Sequence, residues 1–188
     1  PEALTGFDSN IQTWVRGDLP GGLTAFFKMI TTLGNTSVQA VIAILAVIWL
    51  YLRQYKAEAI FVGTSGVLAS IMIMSLKYIY QRPRPSITHL VHAGGYSFPS
   101  GHSLGTFMIL GAIAIVLTQR LVKKAAKTAV YGITGLLIFL VGLSRIYVGV
   151  HYPTDVLAGF TLAFGLLNAI YPTYDRIRFE WRFQSKQK

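Results

Sequence analysis

Five stretches of this chain contain no Asp, Glu, Lys or Arg: residues 29–52, 59–76, 103–119, 128–144 and 156–174. Each is long enough to cross hydrocarbon as a helix, which takes about 20 residues with a range of 17–25. A bilayer offers no partners to backbone N–H and C=O groups, so only helices and closed barrels span it. Barrel strands alternate apolar and polar residues, and these runs are continuously apolar, which selects helices. A soluble bundle would need polar faces. The chain has 17 basic and seven acidic side chains, 13% charged, against roughly 25% in soluble domains, and its mean hydropathy is +0.51. There is no cysteine, which excludes a disulfide-stapled secreted module. The reading is one all-α membrane-embedded unit over 1–188: an outer interfacial segment at 1–28, a transmembrane bundle at 29–174 and a basic cytoplasmic tail at 175–188.

The basic residues orient the bundle. Alternate gaps hold Arg53 and Lys56, then Arg120, Lys123, Lys124 and Lys127, then the tail from Arg176 to Lys188, eleven of the 17. Arg16, Lys28, Lys77, Arg82, Arg84 and Arg145 fall on the other side. The positive-inside rule places the first set in the cytoplasm. The 78–102 loop and the 145–155 turn then face outward.

Five spans with a cytoplasmic C-terminus put the N-terminus outside, and the first residue is Pro1 rather than Met. A sixth span upstream is therefore expected. Residues 1–28 are too polar to span. Phe7, Ile11, Trp14 and Val15 recur at helical spacing, which suits a helix lying in the outer interface, and Pro20-Gly21-Gly22 separates it from a second short amphipathic piece.

Three clusters in the outward gaps carry the ionisable residues. They are Lys77 to Pro85, Tyr96 to Ser103, and Ser144 to Asp155. Lys77, Arg84 and Arg145 lack acidic partners in sequence except Asp155, so an external anion is the natural counter-charge. Arginine forks match phosphoryl oxygens bidentately and lysine adds a point charge. Pro99-Ser100-Gly101-His102 precedes an apolar helix, so the Ser100 and Gly101 amides are expected to face an anion from a helix N-terminus. His102 and His151 supply groups that titrate near neutrality. Asp155, four residues after His151, is placed to fix its tautomer. Together these residues spell phosphoryl transfer, with one histidine as nucleophile and the other as acid.

The pattern Lys77-x6-Arg84-Pro85, Pro99-Ser100-Gly101-His102, Ser144-Arg145-x5-His151-x3-Asp155 resembles the three-part signature of the type-2 phosphatidic acid phosphatase family. The resemblance implies a metal-independent phosphatase without cofactor, acting on lipid phosphates or diphosphates at the outer face. Bacterial members suggest phosphatidylglycerophosphate, phosphatidate and undecaprenyl diphosphate as substrates. It further implies His151 as nucleophile forming a phosphohistidine, Asp155 orienting it and His102 protonating the leaving group. Lys77, Arg84, Arg145, Ser100 and the Gly101 amide would hold the phosphoryl oxygens.

Two other classes compete. A transporter with a basic vestibule fits the cations, but the spans carry no midplane charge and no broken-helix pair. A vanadate-dependent haloperoxidase shares the oxyanion cradle, but those relatives are soluble. His89 and His92 have no carboxylate or cysteine nearby to complete a metal site, so they read as surface histidines. Arg82 reads equally as a headgroup contact or a solvated side chain. The tail interleaves Phe179, Trp181 and Phe183 with basic residues, which favours an anchor on anionic lipid over nucleic-acid binding.

Overall fold

The computed structural model describes residues 2–187; Pro1 and Lys188, the ends of the ranges above, lie outside it. Among the described residues the secondary structure is helical: α1 (Glu2–Arg16), α2 (Gly21–Thr32), α3 (Thr36–Leu52), α4 (Lys56–Tyr80), α5 (Gly101–Thr118), α6 (Lys124–Tyr147) and α7 (Pro153–Phe183). Helices α4 to α7 are each long and apolar enough to cross a membrane, and α2 with α3 adds a fifth crossing if a 48° bend is allowed within it. The chain is a multi-span membrane protein.

That bend corrects the first span. Residues 29–52 are free of charge but do not form one helix. At its end, α2 tightens through Leu33, Gly34 and Asn35, whose amides bond to the carbonyls three residues back, the pattern of a closing 3₁₀ turn. Asn35 then adopts extended backbone at the start of α3. A count of charges detects apolarity and misses such a break.

The helices also outrun their apolar stretches, because a charged side chain does not terminate a helix. Helix α7 continues to Phe183, nine residues past the last apolar run. Helix α4 stops where Gln81 turns left-handed at φ 45°, and Pro83 and Pro85 follow, which cannot donate to a helical ladder.

Helix α5 is the centre of the bundle. Leu104, Met108, Ala112 and Val116, four residues apart along it, are fully buried against Val62 and Ala69 of α4 and Ala163 and Leu167 of α7. Small residues let backbones approach, as membrane helix packing favours. A Cβ on Gly159 of α7 would lie 3.0 Å from the Ser100 carbonyl at the start of α5.

The two ends of the bundle differ. At one, buried Glu58 of α4 receives Arg120 at 3.0 Å and Arg182 at 2.8 Å, and Gln187 Oε1 accepts the Ala57 amide at 2.7 Å. At the other end, α1 and α2 pack on α6 and α7, with Phe27 against Tyr147 at 4.4 Å between ring centroids. Trp14 of α1 is 84% exposed, so this helix turns an aromatic outward.

Candidate active site

The chemistry collects at the α1–α2 end, in a cavity of about 780 Å³ that continues as an apolar groove between α3 and α4. Lys77, Arg84, Gly101, His102, Arg145 and His151 all line it. They arrive from four places: the end of α4, the loop after it, the start of α5, and the α6–α7 turn. Gly149 closes that turn at φ +81°, and the amides of Val150 and His151 both bond to the Arg145 carbonyl. Arg145 and His151 are thereby tied together although one ends a helix and the other lies beyond it.

His151 is 2% exposed. Its Nδ1 faces Asp155 Oδ2 at 3.5 Å and makes no closer polar contact. Its Nε2 lies 3.3 Å from Arg84 Nη1. A guanidinium has only hydrogens to offer, so Nε2 must be the nitrogen with the lone pair and Nδ1 the one with the hydrogen. Burial pushes the imidazole pKa down to about 4, against the upward pull of Asp155, so the ring is neutral at neutral pH. The outcome is a buried neutral histidine whose basic nitrogen faces a cation-lined cavity.

The cations have no carboxylate of their own. Among the described residues, carboxylates pair with Arg82, Arg120, Arg176, Arg178 and Arg182, and with none of Lys77, Arg84 or Arg145. Arg84 is held by carbonyls instead: Nη1 on Val150 O at 2.7 Å, Nη2 on Gly94 O at 2.7 Å and Nε on Gly95 O at 3.0 Å. Lys77 Nζ donates to the Tyr96 carbonyl. Arg145 is 4% exposed, donates to Thr31 Oγ1 at 2.6 Å, and leaves its Nε without an acceptor. A buried donor without an acceptor is costly.

Ser100 departs from expectation. Its amide donates to the Asp155 carbonyl at 3.0 Å, and its hydroxyl accepts from Ser103 N at 3.3 Å and Ser103 Oγ at 2.8 Å. Ser100 is fully buried and does not line the cavity. It caps α5 and joins it to α7. Gly101 does reach the cavity wall, with Ile73 3.5 Å from where its Cβ would be.

Other residues escaped the sequence reading. Asn35 Oδ1 lies 3.1 Å from His102 Nε2, and Gly34 lies so near that a Cβ there would be 2.5 Å from His102 Cδ2. The Gly34-Asn35 break signal was present in the first apolar run, but nothing local tied it to a histidine 67 residues on. Arg82, with 28% of its side chain exposed, is forked between Asp8 and Asp155, each at 2.7 Å. His92 is exposed at the cavity rim, while His89 Nε2 meets the Pro85 carbonyl at 2.9 Å. Among the described residues no three His, Asp, Glu or Cys side chains gather as a metal site.

Comparison with known proteins points the same way. A family model described as PAP2 superfamily matches residues 58–179. Phosphatidylglycerophosphatase B of Bacillus subtilis is 43% identical over 106 residues, which cover 56% of this chain and 49% of that protein. Undecaprenyl-diphosphatase BcrC of the same organism is 32% identical over 133 residues, covering 68% and 64% respectively. Both matches span less than two thirds of the relative's own length. The crystal structure of a transmembrane PAP2-type phosphatidylglycerolphosphate phosphatase from Bacillus subtilis superposes with a TM-score of 0.87 at 29% identity, covering 94% of this chain and 89% of that one.

Proposed function

The chain belongs to the PAP2 superfamily, and from that premise we propose that it is a membrane lipid phosphatase working through a phosphohistidine on His151. The observation that carries this reading is the lone pair of His151 Nε2 facing a cavity lined by three cations without carboxylate partners. Nε2 attacks phosphorus in line, and the bond from phosphorus to the lipid oxygen breaks. Lys77, Arg84 and Arg145 take up the negative charge on the transferring group. The leaving oxygen gains its proton from His102. Water then attacks the phosphohistidine and gives its proton to His102, the phosphorus–Nε2 bond breaks, inorganic phosphate leaves, and both histidines are regenerated. Asp155 faces Nδ1 throughout and stabilises its hydrogen.

The substrate is a lipid phosphomonoester or diphosphate, with phosphatidylglycerophosphate, phosphatidate and undecaprenyl diphosphate as the first to test. The names of the relatives support phosphatidylglycerophosphate and undecaprenyl diphosphate, and the apolar groove between α3 and α4 supports a tail lying beside the headgroup site. The basic asymmetry of the loops supports an extracytoplasmic site and a cytoplasmic C-terminus. Charge neutralisation by three basic side chains supports turnover without a metal.

The purified protein in detergent should release phosphate from at least one of these lipids, fully in EDTA, and vanadate should inhibit. His151→Ala should abolish both turnover and an acid-labile phosphoenzyme, and His102→Ala should slow cleavage roughly 10²–10⁴-fold. A phosphoenzyme that persists in His151→Ala would show that another residue is the nucleophile.

A further inference from the structure

Building on the phosphatase reading above, we propose that Arg82 and Asp8 are positioning residues: together they hold the Asp155 carboxylate in the orientation that keeps His151 nucleophilic.

The carboxylate has two oxygens with separate tasks. Oδ2 accepts the Tyr152 amide at 2.9 Å and faces His151 Nδ1. Oδ1 receives Arg82 Nη1 at 2.7 Å. An aspartate held at one oxygen swings about its terminal torsion, which is broad; gripped at both, it presents a fixed edge to the imidazole.

Arg82 is itself fixed from three directions. Its Nη1 also lies 2.7 Å from Thr154 Oγ1, its Nη2 donates to Asp8 Oδ2 at 2.7 Å, and its guanidinium carbon sits 4.0 Å from the centre of the Tyr152 ring. Burial alone would lower the Arg82 pKa, but the bonds to Asp8 and the charge of Asp155 outweigh it and raise it. Arg82 does not line the cavity, whereas Arg84 does. The two arginines thus grip the His151–Asp155 pair from opposite sides, Arg84 at the imidazole nitrogen and Arg82 at the carboxylate.

Asp8 comes from α1 and is 1% exposed. It accepts the Thr154 amide at 2.9 Å and the Thr154 hydroxyl at 2.7 Å, so it caps the first turn of α7 from another helix. Gln12 and Arg16 extend the same stripe at spacings of four. Gln12 Nε2 reaches the His151 carbonyl at 3.4 Å and Arg16 Nη2 the Thr88 carbonyl at 2.9 Å. Helix α1 therefore lies across the catalytic turn, with Gln12 on the His151 backbone and Asp8 on Arg82 and Thr154.

Steady-state turnover of a lipid phosphate, with inorganic phosphate as a competitive inhibitor, tests this. Arg82→Gln should lower kcat about 10²-fold, the cost of a small misplacement, while KM and the phosphate inhibition constant stay within about threefold of wild type. Arg82→Lys keeps the charge and one of the bonds, and should recover about tenfold of that loss. Asp8→Asn, which keeps the shape of the side chain, should cost about tenfold alone and add little to Arg82→Gln, since both act through one carboxylate. An active wild type with an unaffected Arg82→Gln would overturn the positioning role and leave the phosphatase reading standing. Phosphate affinity that falls in step with kcat would also overturn it, because the damage would then be general. A wild type inactive on every lipid phosphate would remove the phosphatase reading and this inference together.

Discussion

Arg82 and Arg84 are the same residue type two positions apart, and the structure gives them opposite surroundings. Arg82 meets two carboxylates; Arg84 meets three carbonyls and an imidazole. Charge neutralised by carboxylates is spent on structure, whereas charge left over attracts an anion. The same reasoning applies to His102. Its ring is seated between Asn35 and Gly34, and there is no room for a methyl group at position 34. Gly34→Ala should push the imidazole away from Asn35 and lower kcat at least about tenfold, with little change in inhibition by inorganic phosphate. Wild-type kcat in this variant, measured with the same lipid substrate, would show that the seat of His102 is unimportant.

At the scale of elements, the breaks matter as much as the helices. The tight turn between α2 and α3 brings Asn35 to His102, the left-handed Gln81 releases the chain toward Arg82 and Arg84, and Gly149 folds His151 back toward Arg145. Helix α5 opens with the Ser100 cap at the point where α7 crosses it. All of these lie at one end of the bundle, the end that is outermost in the proposed orientation. Lys124 opens α6 at the opposite end, and both Lys124 and His92 are exposed. The chain has no cysteine, so single cysteines report cleanly. In intact cells a membrane-impermeant thiol reagent should label His92→Cys and leave Lys124→Cys unlabelled until the membrane is opened. The reverse pattern would invert the orientation.

The whole molecule divides its charge between two poles. One is braced by Glu58 with Arg120 and Arg182, a buried anion with its counter-charges; the other holds cations that have none. Between them runs the groove along α3 and α4, where Gly63 and Gly66 line the wall. A Cβ on Gly66 would meet only Ile109, at 4.0 Å, so a larger side chain there enters the groove rather than the core. Gly66→Phe should therefore weaken long-chain lipid phosphates and spare short-chain ones. Displacing two methylenes of a tail at about 0.8 kcal/mol each is worth roughly tenfold in KM. Equal effects on long and short chains would place the tail elsewhere.

What the sequence determined by itself was whatever depends on composition and on short spacing. Charge-free runs must be helices because hydrocarbon supplies no backbone partners, and His151 with Asp155 four residues later lies within one turn's reach. The six cavity residues Lys77, Arg84, Gly101, His102, Arg145 and His151 were all legible from their clusters. The tertiary structure decided what depends on which chemical groups face one another across long separations. It turned the Ser100 amide from the anion to α7, gave Asn35 to His102, split the first apolar run, and set Asp8 of α1 beside Arg82 and Thr154. Those pairings lie 55 to 146 residues apart along the chain, and no local pattern encodes them. A donor's partner is fixed by the packing of helices, and that packing follows from small residues and filled volume rather than from any motif.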